Sequence, residues 1–173
     1  MAAAIRRFQS GDVAGLAELY RDAFPDEDLL PLVRDLSALG NSVLSLVARE
    51  GDQLAGHVAF TICGIAGQDG KVALLGPLAV APTMQRQGIG SALVREGLQS
   101  MKAEGVNQVL VLGDPAYYGR FGFESAEGIQ PPYPLPEEWC GAWQSLSLIG
   151  SQPELKGTLL LPEPWMRAAL WAP

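Results

Sequence analysis

The stretch from Lys71 to Leu112 constrains the fold more than any other. Lys71 to Val80 reads as one long strand, and its nearly unbroken apolar character means that both faces are covered. Pro82 stops it. A polar, basic loop follows, and Gly88-Ile89-Gly90 opens the next segment. There Ile89, Leu93, Gly97 and Met101 recur along one helix face, flanked by Val94 and Leu98, until Gly105. Gly97 costs a helix about 1 kcal/mol against alanine, so close packing onto a sheet is its expected reason. Val109 to Leu112 is a second, fully apolar strand. Two strands joined through a helix lie parallel, with a right-handed crossover.

The earlier strands do not share that direction. Val43 to Glu50 and Gln53 to Ile62 are joined by the tight turn Gly51-Asp52, which makes them an antiparallel hairpin. The sheet is therefore mixed. Upstream, Ala2 to Phe8 can form a short strand. Asp12 is placed to cap a helix in which Val13, Leu16, Ala17, Tyr20 and Phe24 share a face, and Pro25 ends it. Asp26-Glu27-Asp28 precedes a second amphipathic helix, Leu29 to Leu39, stopped by Gly40-Asn41. The acidic triplet suits a helix N-terminus; a rim that attracts a cationic substrate is the alternative. Gly64 to Gly70 reads as a loop.

Downstream, Gly113-Asp114-Pro115 breaks the chain, Ala116 to Phe121 forms a short helical turn, and Phe123 to Ala126 starts another strand. Pro131, Pro132, Pro134 and Pro136 mark an extended loop. Trp143 to Ile149 and Leu155 to Leu161 read as a closing pair of strands around Gly150-Ser151-Gln152-Pro153, and Pro164 to Trp171 as a last helical turn or two. No repeat or linker divides the sequence, so residues 1–173 are expected to form a single domain.

Composition excludes several functions. A net charge of −7 argues against a nucleic-acid partner. The longest apolar run, Val72 to Pro82, is too short to span a bilayer, and the first residues lack the apolar stretch of a signal peptide. Cys63 and Cys140 make neither a disulfide framework nor a zinc pattern, so no metal site is expected and a reducing, cytoplasmic setting is.

A strand that feeds a glycine loop at a helix start makes an anion site. The first helical N–H groups have no internal partner, and the helix dipole adds positive potential there. The loop is not a Walker A sequence, because no Lys-Ser or Lys-Thr follows Gly90. As a dinucleotide fingerprint it lacks the third glycine, and Gln108, about twenty residues on, is not acidic. A phosphorylated cofactor of another kind remains.

The full spelling Gln85-Arg86-Gln87-Gly88-Ile89-Gly90 resembles the pyrophosphate loop of the Gcn5-related N-acetyltransferase (GNAT) family. Tyr118-Gly119-Arg120-Phe121-Gly122-Phe123 is similar to that family's segment after its fifth strand. The resemblance covers roughly Ile5 to Ala126. Leu112 to Tyr118 and the proline-rich tail look similar to its YhbS-like branch. It implies a mixed α/β acyl-CoA N-acyltransferase fold: a mostly antiparallel sheet with a splayed parallel pair and helices on both faces. Residues 1–126 would be the family core, and 127–173 would complete the sheet and the acceptor side. It also implies acetyl-CoA as cosubstrate and transfer of its acetyl group to a small-molecule or peptide amine. A homodimer stays open.

By that resemblance, backbone groups of Leu78, Ala79 and Val80 would meet the pantetheine arm. Gln85, Arg86, Gln87, Gly88, Ile89, Gly90 and Ser91 would hold the pyrophosphate. Splaying of the parallel strands is expected at Gly76-Pro77, where proline cannot donate to a ladder. Tyr118 is the candidate general acid, beside the thioester sulfur. Asp114, Tyr117 and Phe121 are further candidate cofactor contacts. Asp114 stands where the family commonly has asparagine, and N-capping of the short helix is its alternative. The general base stays open among His57, Glu50, Glu124, Glu127 and water. A lone histidine on a strand is more often a satisfied structural residue. Trp139, Trp143, Trp165 and Trp171 seal the core or a subunit contact, or Pro131 to Trp143 walls the acceptor pocket. A non-catalytic acyl-CoA-binding or regulatory domain is the alternative to an enzyme.

Overall fold

The computed structural model describes residues 3–150 and 155–173. In chain order the regular elements are β1 (Ala4–Arg7), α1 (Val13–Ala23), α2 (Leu30–Ser37), β2 (Val43–Glu50), β3 (Gln53–Ile65), β4 (Gln68–Val80) and α3 (Ile89–Ala103). Then come β5 (Gln108–Leu112), α4 (Pro115–Tyr118), β6 (Glu124–Ser125), β7 (Ile129–Gln130), β8 (Trp143–Ser147) and β9 (Gly157–Leu160). They gather into two compact units, one of residues 1–60 and 76–99, the other of residues 61–75 and 100–173.

In the first unit the strand order is β1-β2-β3-β4. β1 and β2 are antiparallel, with Ala4 opposite Arg49 and Arg7 opposite Leu46. The periodic positions of α1 and α2 supply the core: Leu16, Leu19, Tyr20 and Val33 cluster with Val47, Leu54, Ala79 and Ala81. Gly97 confirms its expected role. A Cβ there would stand 2.0 Å from Phe60 Cε1, so α3 approaches β3 only because residue 97 has no side chain.

Asp12 does not cap α1 with its carboxylate. It is 3% exposed, and a buried charge needs a charged partner more than α1 needs a cap. Arg6 supplies one with two bonds, Nη1 to Oδ2 at 2.7 Å and Nη2 to Oδ1 at 2.8 Å. Arg49 Nη1 lies 3.5 Å from Oδ1, and Gln9 N–H donates to Oδ2 at 2.8 Å. The hydrogen bonds from Arg6 hold the Asp12 carboxyl below the usual range, against the opposing effect of burial.

In the second unit β4 runs parallel to β5. The register runs from Val72 opposite Gln108 to Leu75 opposite Val111 and ends there, just before Gly76-Pro77. The other edge of β5 pairs antiparallel with β8, Leu112 opposite Trp143, and β8 pairs with β6. β9 pairs with the end of β3 and with β7. Trp165 Nε1 donates to Thr61 Oγ1 at 3.1 Å, and Trp171 Nε1 to Trp165 O at 3.0 Å. Trp143, Trp165 and Trp171 are buried, as side chains that seal a core are, whereas Trp139 is half-buried.

Two further expectations are corrected. Gly64 to Gly70 is not a loop: β3 continues to Ile65 and β4 begins at Gln68, joined through Ala66-Gly67 with φ 74° at Gly67. The glycines suggested a longer break than the hairpin uses. β8 and β9 do not pair with each other. β5 is buried, and its main-chain groups facing away from β4 need partners, which β8 supplies. The turn at Ser151-Gln152-Pro153 lies outside the described residues. Among the described residues no helix is long and apolar enough to cross a membrane.

Gly97→Ala tests the helix approach. Helix propensity would gain about 1 kcal/mol, but overpacking against Phe60 costs about 1–3 kcal/mol, more than offsetting the gain at so short a distance. Urea unfolding should show a lower midpoint for the variant, and an equal or higher one would refute the close approach.

Candidate active site

The end of β4, the loop after it and the first turn of α3 all belong to the first unit, and with them Leu78, Ala79, Val80 and residues 85–91. A short 3-10 turn, Pro82–Met84, leads out of the strand. Gln85 Nε2 donates to Val80 O at 3.2 Å and ties the loop back to the strand. Arg86 has φ 64° and Gly88 φ 83°. Left-handed backbone at a side-chain-bearing residue is unfavourable by roughly 1–2 kcal/mol, so Arg86 marks a loop whose shape is imposed. Such reversals turn consecutive N–H groups toward one side and make an anion-binding concavity. Ala92 N–H reaches Gly88 O at 3.0 Å, opening the helical ladder. The N–H groups before it have no acceptor within the helix. Residues 85–88 are exposed, while Ala79, Ile89 and Gly90 are buried.

Asp114, Tyr117, Tyr118 and Phe121 belong to the second unit. Asp114 accepts from Ala116 N–H at 2.9 Å and caps α4. Its carboxylate thus has a local task that needs no ligand. The Tyr118 ring packs edge-on against Tyr117 and Phe123, with centroids 5.0 Å and 5.8 Å away, and Phe121 lies 6.3 Å off. The Arg120 guanidinium covers the Tyr117 ring at 4.4 Å, and its Nε donates to Tyr117 O at 2.9 Å. Burial, with Tyr117 adding to it, pushes the Tyr118 phenol above its ordinary range. It therefore stays protonated at neutral pH and can donate.

His57 is completely buried in the first unit. Its Nδ1 lies 2.7 Å from the Tyr20 hydroxyl and its Nε2 2.7 Å from Ser45 Oγ. Burial pulls its pKa down to about 3, so the ring is neutral at pH 7 with both nitrogens engaged. That is the satisfied structural histidine. Nothing in the sequence pointed to Tyr20 and Ser45 as its partners, since they lie 37 and 12 positions away. Glu50, Glu124 and Glu127 are exposed. Burial pushes the Cys63 thiol up to about 12, which keeps it from acting as a thiolate; Cys140 is exposed and free. Among the described residues no group of His, Cys, Asp and Glu could hold a metal ion.

Each unit also carries a cavity. In the first, Asp26, Glu27 and Asp28 line about 360 Å³ together with Tyr20, Phe24 and Leu29. In the second, Pro131 to Leu135, Cys140 and Trp143 line about 550 Å³.

The His57 environment sets a pH dependence. Its folded pKa lies below the unfolded value near 6.5, so its contribution to stability is complete above that value and is lost as pH falls toward 3. The unfolding free energy should drop by about 2 kcal/mol from this group between pH 7 and pH 5. Urea titrations of the wild type and His57→Gln measure it. The variant should lack this part of the slope, and equal slopes would refute burial of a neutral histidine.

Residues 4–126 match the family model described as "Acetyltransferase (GNAT) domain". The chain is 34% identical over 168 residues to the uncharacterized N-acetyltransferase YjhQ of Escherichia coli K12, covering 92% of each chain. It is 40% identical over 116 residues to the uncharacterized N-acetyltransferase YhbS of the same strain, covering 66% of this chain and 70% of that one. Among solved structures, E. coli YhbS in complex with CoA matches with a TM-score of 0.87 at 33% identity, covering 96% of this chain and 93% of that one. A GNAT acetyltransferase from Brucella melitensis in complex with acetyl-CoA matches with a TM-score of 0.76 at 30% identity, covering 94% and 97%.

Proposed function

Since the chain belongs to the GNAT family of acetyl-CoA-dependent N-acetyltransferases, we propose that it moves the acetyl group to a primary amine by direct attack, with Tyr118 as general acid. The observation that carries the reading is the loop at the start of α3, where positive φ at Arg86 and Gly88 precedes a 15-residue helix, Ile89–Ala103. Backbone N–H groups from Gln87 to Ser91 suit a pyrophosphate in charge and direction. Arg86 adds positive charge near it. The main chain of Leu78, Ala79 and Val80 pairs with the amides of the pantetheine arm as it would with another strand. One of its N–H groups near Leu78 polarises the thioester carbonyl.

The amine nitrogen forms the new bond to the carbonyl carbon, and the carbon–sulfur bond breaks. Tyr118 gives its proton to the departing sulfur and regains one from solvent. The phenol carries its proton before the step, and burial makes it a weaker acid than a free tyrosine. The amine's own proton leaves to a water or an exposed carboxylate, because His57 has no nitrogen to spare. Asp114, Tyr117 and Phe121 are proposed to contact the cosubstrate.

A second reading has its own support. β4 carries no carboxylate from Lys71 to Val80, its one acidic residue being Asp69 beside the turn from β3, which suits a domain that binds acyl-CoA without turnover. Calorimetry with acetyl-CoA, run beside thiol release over a library of primary amines, decides between the two. Binding with turnover supports the enzyme; tight binding with none across the library supports the binder.

Tyr118→Phe should lower kcat by about a hundredfold while acetyl-CoA affinity stays near wild type. Wild-type turnover would remove Tyr118 from its role. Gly90→Val should abolish acetyl-CoA binding measured by calorimetry, and unchanged affinity would move the phosphates elsewhere.

A further inference from the structure

Gly113 follows β5 with its backbone held on both sides. Its N–H donates to Ala142 O at 2.9 Å, and its carbonyl accepts from Gln144 Nε2 at 3.1 Å. Gln144 is 2% exposed and also donates to Ala142 O at 3.3 Å. Residue 113 is therefore anchored to the start of β8 and cannot drift away from what lies over it.

The Tyr118 ring lies over it. A Cβ at residue 113 would stand 2.4 Å from Tyr118 Cε2, 3.0 Å from Cδ2 and 3.5 Å from Cζ. Carbon atoms at rest are about 3.5–4.0 Å apart, so the first two distances exclude a methyl group unless the ring moves. The ring has neighbours elsewhere too, in Tyr117 and Phe123. Gly113 is not among the positive-φ residues, so its backbone does not demand glycine. The tyrosine ring does.

We propose that Gly113 is the positioning residue for Tyr118: the absent side chain is the seat of the ring, and the seat sets where the hydroxyl points. A ring has a fixed length from Cβ to Oη, so displacement at Cε2 carries the hydroxyl with it. The catalytic part of this proposal rests on Tyr118 being the acid, and the test separates the two.

The full chain, labelled with 13C at its tyrosine rings, is compared as wild type, Gly113→Ala, Tyr118→Ala and the double variant, with Tyr118→Phe assigning the resonance. Gly113→Ala should shift the Tyr118 resonance and lower kcat about tenfold or more through misplacement of the hydroxyl. KM for acetyl-CoA should stay within about twofold, as for an interaction made in the transition state. Gly113→Ala should lower Tm in the wild-type background and leave it unchanged in Tyr118→Ala, where there is no ring to meet. A purely structural glycine would lower Tm equally in both. That equality, or an unmoved Tyr118 resonance, overturns the seat. A displaced resonance with wild-type kcat overturns Tyr118 as the acid, and with it the part of Gly113 in the reaction, while the seat stands. If Gly113→Ala does not fold, recovery of folding in the double variant supports the seat, and its failure overturns it.

Discussion

Parallel pairing of β4 with β5 is the constraint from which much of the rest follows. Parallel strands cannot be joined by a tight turn, so the chain must travel the length of the sheet before it re-enters. Here the crossover consists of residues 81–107, and it contains both the loop and α3. A helix that follows a strand in this way presents its unpaired N–H groups beyond the strand's carboxyl end. The anion-binding geometry is therefore a consequence of the connection. The paired register also ends at Leu75, two residues before Pro77, which has no N–H to donate.

The same pairing creates the need that β8 meets. β5 is buried, and the groups on its far edge must find partners. The antiparallel ladder with β8 provides them and brings Ala142 and Gln144 to Gly113. The seat under Tyr118 is thus built by a strand far along the chain. The backbone under the Tyr118 ring is held by one main-chain carbonyl and one buried amide side chain.

In the first unit, buried His57 and buried Asp12 resolve burial in opposite ways. His57 gives up its charge, because hydroxyl partners satisfy a neutral imidazole on both sides. Asp12 keeps its charge, because the Arg6 guanidinium offers two parallel hydrogen bonds and Gln9 a third. Each ties the α1 region to strands of the sheet, one through Tyr20, the other across the turn that precedes α1. Neither is free for chemistry on a substrate.

Local pattern made much of this legible. β2 runs over Val43–Glu50 as its apolar run and bounding turns indicate, and α3 begins at the isoleucine between the two glycines. The parallel crossover, the tight approach at Gly97 and the capping role open to Asp114 were also readable, since each depends on residues close in sequence or on one helical period. The partners of β8 and β9 were not, because alternation of apolar residues says that a strand is half-buried and not which edge it joins. The roles of the Asp12 carboxylate and the His57 ring are hidden from local pattern for the same reason: their partners come from other elements. By itself, then, the sequence determined the kinds of element, their order and the glycine loop that opens α3, through backbone preferences that act over a few residues. Only the tertiary structure decided which strands pair, which buried group keeps its charge and what the glycine before Asp114 must leave room for. Pairing, desolvation and contact are set by neighbours on other elements, near or far in sequence, that only the fold brings together.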